Sequence, residues 1–468
     1  MHKIAKLFGT DGIRGTPGTY PLTDEMLVRI ARATAQSILP KKQGPKRPKI
    51  AIGKDTRLSG EQIEKSLANT IKDEGVDVVL VGTITTPGLS FLTKTIKASA
   101  GIMISASHNK ATDNGLKFFD AQGNKFSNHK EQKIEDLIFI KSSHPTPWGL
   151  SPSEASGTVP MGHLPKGRIY SIKNAQAKYS QFLISTTPSL DLKGIKIALD
   201  CAWGAASPFA KKIFTSLGAK VTSIHDKPSG HNINEGGALN PRLLKELVLK
   251  TKADIGIAVD GDGDRGILVD EKGQIVDGDC ILAVFARYLQ KENRLLKNTV
   301  VGTVMSNYGL KVALDEIGVK MITANVGDKY VLESLLENDL ILGGEQSGHI
   351  IFLNHHPSPD GLLTALQLLK VMHKTKSSLS QLCRCMTKFP QILINVKVKE
   401  KRPFAEIPFI EERLKQFNAQ LKDQGRILLR YSGTESLARV MVEGRDHDVI
   451  KNIANSLADH IRQEIGVE

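Results

Sequence analysis

Four short stretches of the chain carry residue types that could do chemistry. The first is Gly101 to Phe119, GIMISASHNKATDNGLKFF. Its apolar start predicts a buried strand that stops at five small or polar residues, Ser105 to Asn109. Ligands of α/β proteins sit at the carboxyl ends of strands, so Ser107 is the candidate reacting group. A serine hydroxyl alone is a weak nucleophile and needs a base or a metal. His108 follows it, but neighbouring side chains on an extended chain face opposite ways, and no G-x-S-x-G elbow surrounds it. A hydrolase-type Ser-His pair is therefore not expected, and the activating groups must lie elsewhere.

The second stretch, Ala253 to Val269, reads ADIGIAVDGDGDRGILV. The apolar run IGIAV is a strand that ends in Asp260, Asp262 and Asp264, spaced by glycines. On a near-extended backbone these carboxylates converge on one side. Like charges so close are costly without a cation, and hard oxygen ligands suit Mg2+ or Ca2+. Flanking strands and a missing final glutamate exclude an EF-hand. A solvated acidic turn is the bland alternative. In the third stretch, LGGEQSGHII at 342–351, Glu345, Gln346, Ser347 and His349 sit between apolar runs. A glutamate there could accept from two sugar hydroxyls, and His349 could titrate near neutral pH. A glycine-rich turn with one satisfied histidine fits equally well. In the fourth, the strand Gly425 to Leu429 runs into Arg430-Tyr431-Ser432-Gly433-Thr434-Glu435-Ser436. Arginine, hydroxyls and glycine make a nest for phosphate, although this is no Walker loop. Near the start, KLFGTDGIRG adds a glycine-rich loop with Asp11 and Arg14.

The elements that must position these stretches repeat. A strand, a polar loop, a helix, a glycine and a second strand occur in that order from Lys49, from Lys196 and from Thr299. This predicts three related α/β units with mixed sheets. The segment from about Leu382 has a different, α+β layout. The expected divisions are 1–187, 188–296, 297–380 and 381–468. Further expectations are a helix over Leu22 to Ile38, another over Tyr170 to Ile184, and a surface loop over Lys141 to Arg168. The 468 residues, 41 of them glycine, with 40% hydrophobic, suit a globular α/β protein of several domains.

Composition narrows the partners. Four cysteines without paired spacing predict reduced thiols and a cytoplasmic setting. No signal peptide is expected. No apolar run of about 18 residues predicts a membrane span. A net charge of +14 could serve nucleic acid, but the lysines are dispersed and neither RNP-type aromatics nor Cys/His fingers occur. The charge suits small anions such as phosphate esters.

Taken jointly, FGTDGIRG at 8–15, ISASHN at 104–109, DGDGDR at 260–265, GGEQSGH at 343–349 and RYSGTES at 430–436 carry a resemblance over nearly the whole chain. The chain resembles the α-D-phosphohexomutase family, and looks most like its bacterial members acting on glucosamine phosphate. The resemblance implies three similar α/β domains and a smaller fourth around a central cleft. It implies interconversion of glucosamine 6-phosphate and glucosamine 1-phosphate for cell-wall precursors, through a phosphoserine and a bisphosphate. By position, Ser107 would carry the phosphate, and Asp260, Asp262 and Asp264 would hold Mg2+ with it. Glu345 and Ser347 would grip sugar hydroxyls. Arg430, Ser432, Gly433, Thr434 and Arg439 would hold the substrate's phosphate, with Arg265 also at the substrate. Arg14, Lys117 and His349 fall where the family places acid–base and positioning groups. The partner is then a phosphosugar, not nucleic acid or membrane, with a homodimer possible. Rival readings are glucose or mannose specificity, or a non-catalytic phosphosugar- or nucleic-acid-binding protein. Lys110, Trp203, Tyr431 and Ser436 depart from the family pattern, and Pro357-Ser358-Pro359-Asp360-Gly361 replaces its T-T-G-D-G. These changes alter loop stiffness, because proline fixes φ.

Overall fold

The computed structural model describes residues 6–39, 47–139, 165–432 and 435–467. Most of the loop expected over Lys141 to Arg168, and Gly433 and Thr434, lie outside them. The chain packs as two units, Met1–Val304 with Ile322–Cys383, and Met305–Met321 with Arg384–Glu468.

The first unit holds a six-stranded sheet, a five-stranded sheet and most of a four-stranded one. In the six-stranded sheet the order is Ile13–Gly15, Asn114–Asp120, Ala100–Ile104, Lys49–Lys54, Asp77–Thr83, Ile169–Ser171. Lys49–Lys54 runs parallel to Ala100–Ile104, which then pairs antiparallel with Asn114–Asp120. The five-stranded sheet repeats this: Lys196–Asp200 is parallel to Ile255–Val259, whose return Gly266–Asp270 is antiparallel. So does the four-stranded sheet: Thr299–Thr303 is parallel to Leu342–Gly344, and Ile350–Phe352 returns antiparallel. Three of the four chemistry-bearing stretches thus occupy one topological place, the connection between a buried parallel strand and its antiparallel return. Both Ala100–Ile104 and Ile255–Val259 are buried at every residue, which explains their unbroken apolar runs.

The second unit holds an antiparallel sheet in the order Gln391–Lys397, Leu437–Gly444, Gly425–Tyr431. The helix His447–Ile465 packs its buried face, from Ile450 through Leu457 to Ile465, into a core with Val396, Val440 and Val442.

The first helix is Asp24–Ile38, with Thr23 capping it through an oxygen that accepts from Met26 N at 3.2 Å. The helix expected over Tyr170 to Ile184 is instead a strand, Ile169–Ser171, beside Asp77–Thr83, followed by the helix Ala175–Ser185. The backbone of the β-prone Ile-Tyr-Ser triplet finds partners on that sheet edge. Among the described residues no helix is long and apolar enough to cross a membrane.

Asp360 ties these elements together. It is fully buried and caps the helix Gly361–Thr375, accepting from Leu362 N at 2.9 Å and Leu363 N at 3.0 Å. Its other oxygen accepts the hydroxyl of buried Tyr179. Asp360→Ala removes the cap and orphans that hydroxyl, so unfolding should show a loss of about 2–4 kcal/mol. Asp360→Asn keeps the cap and should lose much less. Burial pushes the Asp360 carboxyl up to about 6. The folded chain therefore holds this proton better than the unfolded one, whose value is about 4. That contribution is present at low pH and is lost as pH rises from about 4 to about 6. Asp360→Asn should flatten that part of the stability curve in thermal unfolding across this range.

Candidate active site

The strand Ala100–Ile104 delivers Ser105, Ala106 and Ser107 into the interior, where Ser107 is 1% exposed. Ser107 adopts φ +50°. This left-handed turn breaks the extended-chain expectation for its neighbour: His108 Nδ1 lies 3.4 Å from Ser107 Oγ. It is still no general base for the serine. Arg265 Nη2 approaches the same nitrogen at 2.9 Å, closer than the serine. Burial, then Arg265 and Arg14, lower the His108 pKa to about 4, so the ring is neutral and accepts from Arg265.

Ser107 Oγ instead donates to Asp260 Oδ2 at 3.1 Å. Asp260, Asp262 and Asp264 are each at most 1% exposed, and each offers an oxygen within 4.8 Å of the others. They converge by turning rather than by lying extended. Gly263 N bonds back to Asp260 O at 3.1 Å, and Gly263 has φ +73°.

The charges around this turn are unevenly matched. Lys117 Nζ, buried, reaches Asp262 Oδ2 at 2.8 Å, Asp264 Oδ2 at 2.9 Å and Asp11 Oδ2 at 2.9 Å. Burial alone would lower the lysine's pKa, but these carboxylates outweigh it and hold it well above the usual value. His349 stands between Asp264 Oδ1 at 3.1 Å and Glu345 Oε2 at 2.8 Å. Burial opposes its charge, yet chiefly Asp264 raises it to about 10. An imidazolium donating to both acids leaves Arg265 Nε, 3.1 Å from His349 Nε2, as a like-charged neighbour and not a donor. Burial also opposes ionisation of Asp264 and Glu345, but Lys117 and His349 hold the first below the carboxylate range and His349 holds the second there.

Asp260 is the exception. Its closest cation is Arg265 Nε at 3.9 Å, and burial, then Asp264 and Asp262, push its carboxyl well above the usual range. Beside it, Asp262 Oδ1 is buried without a hydrogen-bond partner among the described residues. The corner next to Ser107 is short of positive charge, and neighbouring Asp262 carries an orphaned carboxylate oxygen. Both features fit a divalent cation held by oxygen ligands. Asp260, Asp262 and Asp264 are the group that could hold such an ion, with Ser107 Oγ 3.1 Å from Asp260 Oδ2.

Several residues that hold this site were not singled out in the sequence. The buried Arg57 guanidinium donates to Ser107 O at 2.9 Å, Asn109 O at 2.9 Å and Asp113 O at 2.9 Å, and also to Lys110 O. Its counter-ion Asp55 accepts Ser105 Oγ at 2.6 Å. Asn234 Nδ2 donates to the same Ser107 O at 2.7 Å and Asn109 O at 3.0 Å, while its Oδ1 accepts from Gly261 N at 2.8 Å. One amide thereby fastens the serine loop to the aspartate loop. Thr86 holds the other side, through its N to Asp262 O at 2.8 Å and its hydroxyl to Asp262 Oδ2. Asp55 and Arg57 follow a predicted strand, the one signal that could have found them. Nothing in the sequence marks Asn234.

Of the remaining expected residues, Arg14 bonds Asn109 Oδ1 at 3.2 Å and pairs with Asp11. Glu345 is already engaged, because its Oε1 accepts from Gly327 N at 2.8 Å. Ser347 is half-exposed. In the second unit Arg430 and Arg439 are cross-strand partners, and burial and then Arg439 lower the Arg430 pKa. Arg439 Nη2 meets Glu435 Oε2 at 3.3 Å, and its buried Nε has no hydrogen-bond partner among the described residues. Ser432 is buried. Two adjoining guanidiniums with one exposed acid favour an anion. Tyr431 replaces proline stiffness with contacts: its ring stacks on Phe404 at 4.4 Å and its hydroxyl donates to Arg402 O at 2.5 Å. Trp203 likewise stacks on His225 at 3.7 Å, and its carbonyl accepts Thr56 Oγ1 at 2.6 Å.

Comparison with known proteins agrees across the chain. Phosphoglucomutase/phosphomannomutase models match as alpha/beta/alpha domain I at 5–144, domain II at 177–273, domain III at 277–389 and the C-terminal domain at 393–460. The chain is 46% identical over 465 residues to a phosphoglucosamine mutase of Geobacter metallireducens, covering 99% of this chain and 100% of that one. It is 43% identical over 467 residues to a phosphoglucosamine mutase of Chlamydia abortus, covering 99% and 98%. Its fold is like that of a phosphoglucomutase/phosphomannomutase family protein from Burkholderia thailandensis, at TM-score 0.78, 21% identity and 99% coverage of both. It is also like that of Aspergillus fumigatus N-acetylphosphoglucosamine mutase in complex with GlcNAc-6P and magnesium, at TM-score 0.64, 16% identity, and 98% and 96% coverage. With four matching domain models in sequence over a site of this construction, the chain belongs to the phosphoglucomutase/phosphomannomutase family.

Proposed function

We propose that this chain interconverts glucosamine 6-phosphate and glucosamine 1-phosphate, carrying a phosphoryl group on Ser107. The substrate class rests on the phosphoglucosamine mutase relatives at 43–46% identity. The chemistry rests on one observation: a buried serine hydroxyl donates to an aspartate that lacks a close cation, beside an orphaned carboxylate oxygen.

In this reading Ser107 gives its phosphoryl group to the free sugar hydroxyl. The Ser107 O–P bond breaks, a new O–P bond forms on the sugar oxygen, that hydroxyl's proton ends on the freed Ser107 Oγ, and a bisphosphate results. After the bisphosphate reverses its orientation, its other phosphoryl group returns to Ser107. Phosphoryl transfer needs positioning and charge neutralisation more than covalent help. Asp260, Asp262 and Asp264 would hold Mg2+ with Ser107, and the ion would supply positive charge at the transferring group. Arg57 and Asn234 keep the serine carbonyl, and so the serine, in its left-handed turn. Lys117 and His349 hold their protons, so they act as positive partners or acids and not as resting bases. The buried site keeps water from the phosphoserine. Arg430, Ser432 and Arg439 would bind the substrate's own phosphate.

The direct test is a coupled assay of the full chain with glucosamine, glucose and mannose phosphates, with intact mass alongside. Ser107→Ala should remove the covalent phosphate and at least about nine-tenths of turnover, a barrier increase above roughly 1.4 kcal/mol. Chelation should abolish turnover and Mg2+ restore it. Full activity in excess chelator, or a preference for glucose or mannose phosphate, would overturn this reading.

Two other substitutions separate positioning from substrate grip. Asn234→Ala frees one side of the serine loop, so kcat should fall about tenfold with KM nearly unchanged, as expected for a misplaced reacting group. A change in KM alone would remove Asn234 from this role. Arg430→Lys keeps the charge but loses the planar fork. It should cost about 1–3 kcal/mol in kcat/KM while intact mass still shows phosphate on Ser107. Wild-type kcat/KM would remove Arg430 from the clamp.

A further inference from the structure

A second cavity, of about 200 Å³, lies apart from the Ser107 site, between the helix Gly278–Lys291, the strand Ile350–Phe352 and the helix Gly361–Thr375. Its inner wall is apolar and aromatic, with Phe285 at 2% and Phe352 at 5% exposure, their rings edge-to-face at 4.8 Å. Arg294, Lys370 and His355 also line it, and no carboxylate among the described residues does. None of these three side chains makes an ion pair or hydrogen bond within the described chain, although each is within electrostatic reach of another. Burial, then Arg294 and Lys374, lower the Lys370 pKa, and burial, then Lys370 and Arg294, lower that of His355. Burial and then Glu292 raise the Tyr288 pKa against the opposing Arg294, so one acid stands near this group without lining the cavity.

Cations gathered around a cavity without a lining acid repel one another until an anion joins them. An arginine fork beside a lysine matches phosphate oxygens, and two positive charges match a phosphomonoester dianion better than a single carboxylate. The apolar, aromatic wall offers a face to a ring. We propose that this cavity binds a small ring-bearing phosphomonoester, separately from the mutase site. The ring could come from a nucleoside monophosphate or from the phosphosugar itself.

Calorimetric titration of the full chain tests this and separates the two sources. AMP, glucosamine 6-phosphate and inorganic phosphate would be titrated into wild type, Arg294→Glu and Lys370→Glu, with turnover assayed for each. The proposal expects a saturable AMP or sugar-phosphate event in wild type, tighter than that of inorganic phosphate. Charge reversal at either position should weaken it at least about tenfold, with turnover retained, since neither residue belongs to the reaction machinery. AMP alone giving this event identifies the nucleotide. A second sugar-phosphate event sensitive to both substitutions identifies the phosphosugar. Lys370→Gln, which removes the charge and little volume, should weaken it in the same direction and covers a folding failure of the glutamate variants. No event beyond the mutase site, equal affinity for inorganic phosphate, or unchanged affinity in the variants would overturn the proposal.

Discussion

The structure depends on gathering four carboxylates, part-buried Asp11 and buried Asp260, Asp262 and Asp264, around one buried ammonium. Lys117 satisfies three of them. Ionised carboxylates taken out of water cost several kcal/mol each unless paired. The surrounding residues follow from that demand: His349 meets the far oxygen of Asp264, and Lys125 bridges Asp11 to Asp328 at 2.6 Å. What remains unmatched is Asp260, and it is the aspartate that touches Ser107. The site is therefore built short of charge at the place where a cation and a phosphoryl group would stand.

Topology makes such a concentration possible. Each of the three sheets of the first unit sends one loop out between a buried parallel strand and its antiparallel return, and the three loops meet. The seam is closed by backbone: Gly266 N bonds Gly348 O at 3.0 Å and Gly361 N bonds Gly263 O at 3.1 Å. A Cβ on Gly361 would stand 2.3 Å from Arg265 O, so no larger residue fits without moving the aspartate loop. Side chains at these contacts would hold the carboxylates apart from Ser107. Asp360, which begins the helix after this seam, is buried for the same reason.

Much of this was legible in the chain itself. Ser107, the three aspartates and the loop around Glu345 are each announced by an apolar run ending in polar residues, the pattern of a buried strand reaching a loop. The regular order of strand, helix and glycine predicts the repeated sheets. Orientation within the loops was not legible. The left-handed turn at Ser107 brings His108 to the same side, and the turn at Gly263 replaces an extended aspartate run. Asn234 is invisible in sequence because its function is to bond two backbones distant in the chain. The strand at Ile169–Ser171 was hidden because three residues carry too little periodicity to separate from the helix that follows.

The most direct test of the charge-deficient corner is anomalous diffraction from crystals of the full chain grown with Mn2+, an oxygen-seeking ion that scatters strongly. The account predicts one strong peak in the first unit, bonded by oxygens of Asp260, Asp262 and Asp264 and by Ser107 or its phosphate, with Lys117 still on the opposite carboxylate oxygens. No peak among these aspartates at saturating Mn2+, or a peak displacing Lys117 while Asp262 Oδ1 stays unbonded, would contradict it.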